Sequence, residues 1–373
     1  VNIDDISSTR TLSIAQDSTG FIWIGTDDGL NRFDGFQNKI FRSDVFDETT
    51  ISGNRIWKIH VDNSNTVWIL TDKGVCFYDV KQSRFGRIET RSRPIHLYDN
   101  KNTLYVSTLN SGIYTINKET KIVKNYLFDP LDPFSISSSK FSVLQSKPMA
   151  IGGDNLWVGT MNGLNRLNLN TGQAKRLYSK KTSYVKSDTI TSLLFVDNVL
   201  YVGTTRGLGL YVETHNEINE TAYLGEFESQ HIINLFYIKG TNAVGVVSKN
   251  KLGIFEKGII SKTIKTNSPL NQINDLSSGQ YLLSSPTSNN AIFLSVDADN
   301  NNAYQANKTE LPIATIDILL DSEGGAWLVG ESGAVRASNI KTPSTFTSIP
   351  NIKETSLDRF EQNIYVLSRD KIM

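Results

Sequence analysis

Apolar positions along this chain fall in short runs with a two-residue alternation, separated by turns rich in Asp, Asn and Gly. That alternation predicts β-strands that bury one face, joined by tight connections. One stretch shows the grammar. Thr189-Ile190-Thr191-Ser192-Leu193-Leu194-Phe195-Val196 reads as a strand and Asp197-Asn198 as a turn. Leu200-Tyr201-Val202-Gly203-Thr204 and Gly207-Leu208-Gly209-Leu210-Tyr211-Val212 read as two further strands, with a more polar outer strand near Ala222-Tyr223-Leu224.

The unit repeats. Phe21-Ile22-Trp23-Ile24-Gly25-Thr26 is matched by Leu156-Trp157-Val158-Gly159-Thr160, and both continue through a Gly-Leu pair into another alternating run. Further copies stand at Val67-Trp68-Ile69-Leu70-Thr71, Leu104-Tyr105-Val106-Ser107-Thr108, Leu200–Thr204 and Ala326-Trp327-Leu328-Val329-Gly330. Weaker copies stand at Val244–Ser248, Tyr281–Ser285 and Ile364-Tyr365-Val366-Leu367-Ser368, which makes nine. Trp23 to Trp68 is 45 residues and Trp157 to Tyr201 is 44. Strand signal at such a period predicts the four-stranded blades of a β-propeller. The aromatic residue is expected to fill the space between twisted blades. The Gly after it permits close approach, and the second Gly supplies a positive φ.

Composition narrows the classes. The 373 residues carry 38 basic and 38 acidic side chains, so no net charge draws the chain to nucleic acid or an anionic membrane. No apolar run approaches the roughly 20 residues that cross a bilayer, which predicts no membrane insertion by this segment. The start at Val1 without a leader fits a segment whose export signal has been removed. The single cysteine, Cys76, sits in Val75-Cys76-Phe77-Tyr78 and reads as a small core residue. Asp129–Ser135 reads as a surface loop between the third and fourth copies.

Catalytic and metal motifs are missing from the sequence, so no enzyme activity and no cofactor are expected. His60, His96, His215 and His231 lie in separate repeats without ligand spacing. Asp297-x-Asp299-x-Asn301 begins like a calcium loop, but Asn302 replaces the central Gly and Lys308 the terminal Glu, which leaves a polar turn.

Between Leu12 and Gly35 above all, the chain resembles the two-component regulator propeller repeat of bacterial sensor proteins. The resemblance runs through nearly the whole chain and is weakest in the sixth, seventh and ninth copies. It implies the periplasmic sensor region of a receptor, commonly two propellers and a small β-sandwich ahead of a membrane helix and a histidine kinase or diguanylate cyclase. The ligand implied is a small polar molecule such as an oligosaccharide, with downstream domains of the same polypeptide and a homodimer as partners. The same resemblance implies that residues 1–310 close a seven-bladed propeller. Residues 311–373 then open a second one; the alternative is a single ring of eight or nine blades, in which Val1–Ile6 could add an outer strand to the last.

A ligand is expected on the face formed by the loops entering each first strand and the turns between second and third strands. The candidates there are Asn54, Arg55, Trp57, Arg93, Lys186, Arg206 and His231, with Arg55 and Arg206 foremost. Asp27, Asp28, Asp72, Lys73, Asn162, Ser187 and Asn250 share that face, with Tyr184 close by in sequence, and complete a mixture able to hydrogen-bond and stack on a sugar. The rival readings are a protein-interaction scaffold and a propeller lyase or glycosidase.

Overall fold

A computed structural model describes residues 6–80, 82–180, 186–212, 227, 229–256, 259–266, 268–277, 279–297, 303–337 and 364–367. These residues form eight antiparallel sheets, seven of four strands and one of three, with neighbouring strands consecutive in sequence. The architecture is a β-propeller. Blades 1 to 8 span residues 11–41, 56–89, 94–126, 149–177, 190–212, 232–265, 272–310 and 317–367. The outer strand expected near Ala222 falls outside the described residues, as do residues 1–5.

The chain divides into two compact units. One comprises residues 1–94, 272–296 and 305–373; the other comprises residues 95–271 and 297–304.

In the first unit the cores lie between consecutive blades. Trp23 of blade 1 is fully buried with Ile56, Tyr78 and Phe85 of blade 2. Trp327 of blade 8 packs with Ile22 and Phe33 of blade 1, its ring 6.2 Å from that of Phe33. Blade 8 is therefore joined to blade 1. Thr11 donates to the Gly330 and Gly333 carbonyls at 2.8 Å and accepts from the Gly330 amide at 2.9 Å. This overturns the expectation of seven blades followed by a second propeller. The ninth copy is not a blade either: Ile364–Leu367 is the outer strand of blade 8, paired antiparallel with Gly333–Ala337.

In the second unit Trp157 is buried with Ile190, Leu193 and Tyr211. Tyr201 is buried with Ile232, Leu235 and Phe255. The repeat glycine has the expected steric reason. A Cβ on Gly203 would stand 2.9 Å from Ile232 Cγ2, and one on Gly25 of the first unit 2.5 Å from Ile56 Cγ2. The glycine thus seats the β-branched residue that opens the next blade.

The repeat threonine, to which the sequence assigns no role, ties the entry loop of its blade to the turn beyond it. In blade 1 the Ser7 and Thr26 hydroxyls lie 2.8 Å apart, and Thr26 donates to the Gly29 carbonyl at 3.0 Å. Asn31 completes the knot, accepting from the Ser7 amide at 2.9 Å and donating to its hydroxyl at 2.8 Å. Blade 4 repeats it with Ser137, Thr160 and Asn165. Blade 2 repeats it with Ser52, Thr71 and, in the asparagine's place, Cys76, whose Sγ accepts from the Ser52 amide at 3.0 Å. Cys76 is buried and its thiol is pushed up by desolvation, so it belongs to the frame that fixes the entry loop.

Candidate functional site

The entry loop of blade 2 is laced to the turn between its second and third strands. The Arg55 amide donates to Asp72 Oδ1 at 3.3 Å, and the Asp72 amide donates to the Arg55 carbonyl at 3.0 Å. Trp57 follows on the first strand, Ile56–Val61, where the register against Val67–Thr71 shifts between Ile56 and Lys58. Trp57 is thus the extra residue of a β-bulge, a feature that re-aims a side chain. It is partly exposed, as are Arg55 and Arg93.

Both guanidiniums stand on this indole. The Arg55 Cζ is 4.1 Å and the Arg93 Cζ 4.4 Å from the Trp57 ring centroid. Such a cation–ring contact is worth about 0.5–2 kcal/mol, more as water is excluded. Arg55 Nε, Trp57 Nε1 and Arg93 Nε are all screened from water without a hydrogen-bond partner among the described residues. A buried donor left that way costs about 1–3 kcal/mol, so three at one place mark a site built for something other than stability.

Three of the seven candidates therefore converge. A fourth, Asn54, is in the same loop but its polar groups are used internally. Its carbonyl accepts from Gly29 at 2.7 Å and its Oδ1 from Ser43 at 2.7 Å. Lys186, Arg206 and His231 belong to the second unit. There the Ser187 and Thr205 hydroxyls lie 2.9 Å apart, joining the loop that carries Lys186 to the turn that carries Arg206. Arg206 and His231 are exposed, and desolvation holds the His231 imidazole below its ordinary value. Tyr184, His215, Asp299 and Asn301 lie outside the described residues.

Sequence reading missed the polar junction beside this site. Asp317 Oδ2, on the first strand of blade 8, accepts from Lys58 Nζ at 2.8 Å, from Ser13 Oγ at 2.9 Å and from the Ile14 amide at 3.3 Å. The available signal was an aspartate opening the otherwise apolar run Asp317-Ile318-Leu319-Leu320. His96 contacts the Ser142 carbonyl through Nε2 at 2.9 Å, and burial pushes its imidazole down to about 4. Among the described residues no three His, Cys, Asp or Glu side chains are grouped to hold a metal.

Residues 5–28 match the family model described as the two component regulator propeller. The chain carries that repeat. A histidine kinase, P4, of Formosa agariphila is 48% identical over 50 residues, which are 13% of this chain and 4% of the kinase. Among solved structures, the extracellular domain of a hybrid two component system from B. thetaiotaomicron superposes with a TM-score of 0.52 at 19% identity. That match covers 90% of this chain and 41% of the larger one, so the chain spans well under half of that relative. A streptogramin B lyase aligns over 88% of this chain and 93% of its own, with a TM-score of 0.51 at 14% identity. The propeller fold is therefore common to sensor regions and to an enzyme, and the site has to decide between them. No helix among the described residues is long and apolar enough to cross a membrane.

Proposed function

We propose that this chain is the extracytoplasmic ligand-sensing propeller of a bacterial signal-transduction receptor, and that it binds a small polar molecule of the oligosaccharide class. The observation that carries the reading is Trp57, re-aimed by a bulge and flanked by Arg55 and Arg93 with their donors unspent. An indole face stacks on the apolar face of a sugar ring while adjacent donors bind its oxygens. The repeat, and the short match to a histidine kinase, support a place ahead of a signalling output. Output by a kinase or cyclase in the same polypeptide, through a homodimer, completes this reading. Ligand binding must then bias two states of that assembly.

Thermal unfolding of the purified chain against an oligosaccharide panel tests the binding step. A ligand of the folded state raises Tm in a concentration-dependent way, and Trp57→Ala abolishes the rise. No shift across the panel, or a shift indifferent to Trp57→Ala, sinks the reading.

A protein-interaction platform is the second reading, favoured by one recurring feature. Asp44-Val45-Phe46-Asp47-Glu48-Thr49-Thr50-Ile51 and Asp129-Pro130-Leu131-Asp132-Pro133-Phe134-Ser135-Ile136 follow one pattern. In the first loop Arg87 Nε donates to the Thr50 carbonyl at 2.8 Å, and Phe46 is 95% exposed. In the second, Arg176 Nε donates to the Ser135 carbonyl at 2.7 Å, and Leu131 is 91% exposed. Each loop fixes a large apolar side chain in water.

A further inference from the structure

We infer that the group recognised at Trp57 is an anion, a carboxylate or a sulfate ester carried next to a flat apolar face, as on an acidic sugar. The inference rests on the ligand-sensing reading above and sharpens it.

Five cations other than Arg55 and Arg93 meet carboxylates among the described residues. Arg10 meets Glu331 at 2.9 Å, Arg42 meets Asp28 at 2.9 Å and Lys118 meets Asp99 at 2.8 Å. Arg336 meets both Asp321 and Glu323, and Lys58 meets Asp317 at 2.8 Å. Arg55 and Arg93 have no carboxylate partner among the described residues, although both stand on one indole. The acidic side chain closest in the hydrogen-bond pattern, Asp72, accepts from the Arg55 backbone rather than its guanidinium. In a chain of zero net charge this is a local excess of positive charge.

Geometry adds the class of anion. A guanidinium presents its donors as a planar fork, which suits oxyanions such as carboxylate and sulfate. The bulge does not by itself demand an aromatic residue. The same register shift in blades 1, 5 and 6 carries Leu12, Thr191 and Ile233. Only blade 2 puts an indole there, between two arginines from successive entry loops. Stacking from Trp57 and pairing from Arg55 and Arg93 together read a ring that bears a negative group.

The test exploits the tryptophans. Of the five, Trp23, Trp68, Trp157 and Trp327 are buried, so fluorescence quenching from solution reports Trp57. Iodide and acrylamide are compared on the full chain. The expected result is quenching by iodide well in excess of that by neutral acrylamide. The excess falls with added salt and is lost in Arg55→Gln/Arg93→Gln at an unchanged Tm. Galacturonate and galactose 6-sulfate should each protect Trp57 from iodide where galactose at the same concentration does not, and the two anions separate carboxylate from sulfate preference. Arg55→Lys/Arg93→Lys, which keeps the charge without the fork, should retain the iodide excess and lose most of the protection. Equal quenching by iodide and acrylamide, or an iodide excess untouched by the glutamine pair, overturns the inference. Protection by galactose as strong as by galacturonate, kept in Arg55→Gln/Arg93→Gln, overturns it too while leaving the sugar-sensing reading intact. An iodide excess with no response to any of the three sugars upholds the anion site and counts against the sugar.

Discussion

The Asp17 carboxylate accepts a hydrogen bond from the Trp23 indole at 2.8 Å, and it does so from the turn that precedes the strand carrying the tryptophan. The same bond joins Asp62 to Trp68 at 2.8 Å and Asp321 to Trp327 at 3.0 Å. The spacing is six residues each time, and the second carboxylate oxygen caps the turn amides, as Asp62 Oδ1 does for Ser64 and Thr66. One side chain thus shapes the turn and satisfies the buried indole that fills the space between blades.

Asp62→Ala is expected to destabilise the fold by about 2–4 kcal/mol, because it removes a charge-assisted bond and leaves the Trp68 N–H unpartnered in the interior. Asp62→Asn, which keeps an acceptor, should cost markedly less. Urea unfolding midpoints of the two variants check this, and equal losses would show that the carboxylate acts on the turn alone.

Gly25→Ala should cost about 1–3 kcal/mol through overpacking, since its Cβ would stand 2.5 Å from Ile56 Cγ2. The physical content is in the pair. Ile56→Ala alone should also destabilise, by opening a cavity, but the double variant should lose clearly less than the two singles together. A double-mutant cycle on denaturant unfolding measures that coupling, and strict additivity would refute the steric account.

Burial holds His96 at about 4, below its ordinary 6.5. The unfolded chain takes up a proton through that window while the folded chain refuses it, so stability is complete above about pH 6.5 and declines as pH falls toward 4. His96→Gln should remove this share of the acid sensitivity. Unfolding midpoints for both proteins between pH 7 and 4 check it, and parallel curves would mean that His96 titrates normally.

These cases show why the fold was legible and the site only partly so. Trp23, Gly25 and Thr26 act within one blade or on the next, so their roles recur at a fixed period and the sequence displays them. Seven blades is what the resemblance implies, and the ninth copy arises because Ile364–Leu367 alternates like a second strand; alternation does not tell which neighbour a strand pairs with, and the described residues form eight blades, the alternative to seven. Placement in the entry loops was enough to single out Arg55, Trp57 and Arg93. Their convergence on one ring was not readable, because a bulge breaks the alternation from which direction is inferred. Asn54 occupies an equally suggestive position, yet its Oδ1 accepts from the Ser43 amide across the preceding loop, a bond that no sequence pattern marks.

The junction between blade 8 and blade 1 gives the most decisive test of architecture. Asp317, with its side chain 10% exposed, is held by Lys58, Ser13 and the Ile14 amide, and it joins the first strands of blades 8, 1 and 2. Asp317→Ala would leave the Ser13 O–H and the Ile14 amide without this acceptor, although Ser13 Oγ still accepts from the Ile59 amide at 3.0 Å, and is expected to cost about 1–3 kcal/mol. A chain ending at residue 310 removes the whole junction. Ile22, Ile24 and Phe33 lose Trp327, Val329 and Ala334, the residues that cover them. An uncovered apolar face then invites association. The shortened chain should aggregate or unfold non-cooperatively, read by size-exclusion chromatography and thermal melting. A stable monomer with one sharp transition would instead mean that seven blades suffice and that the eighth is an appendage.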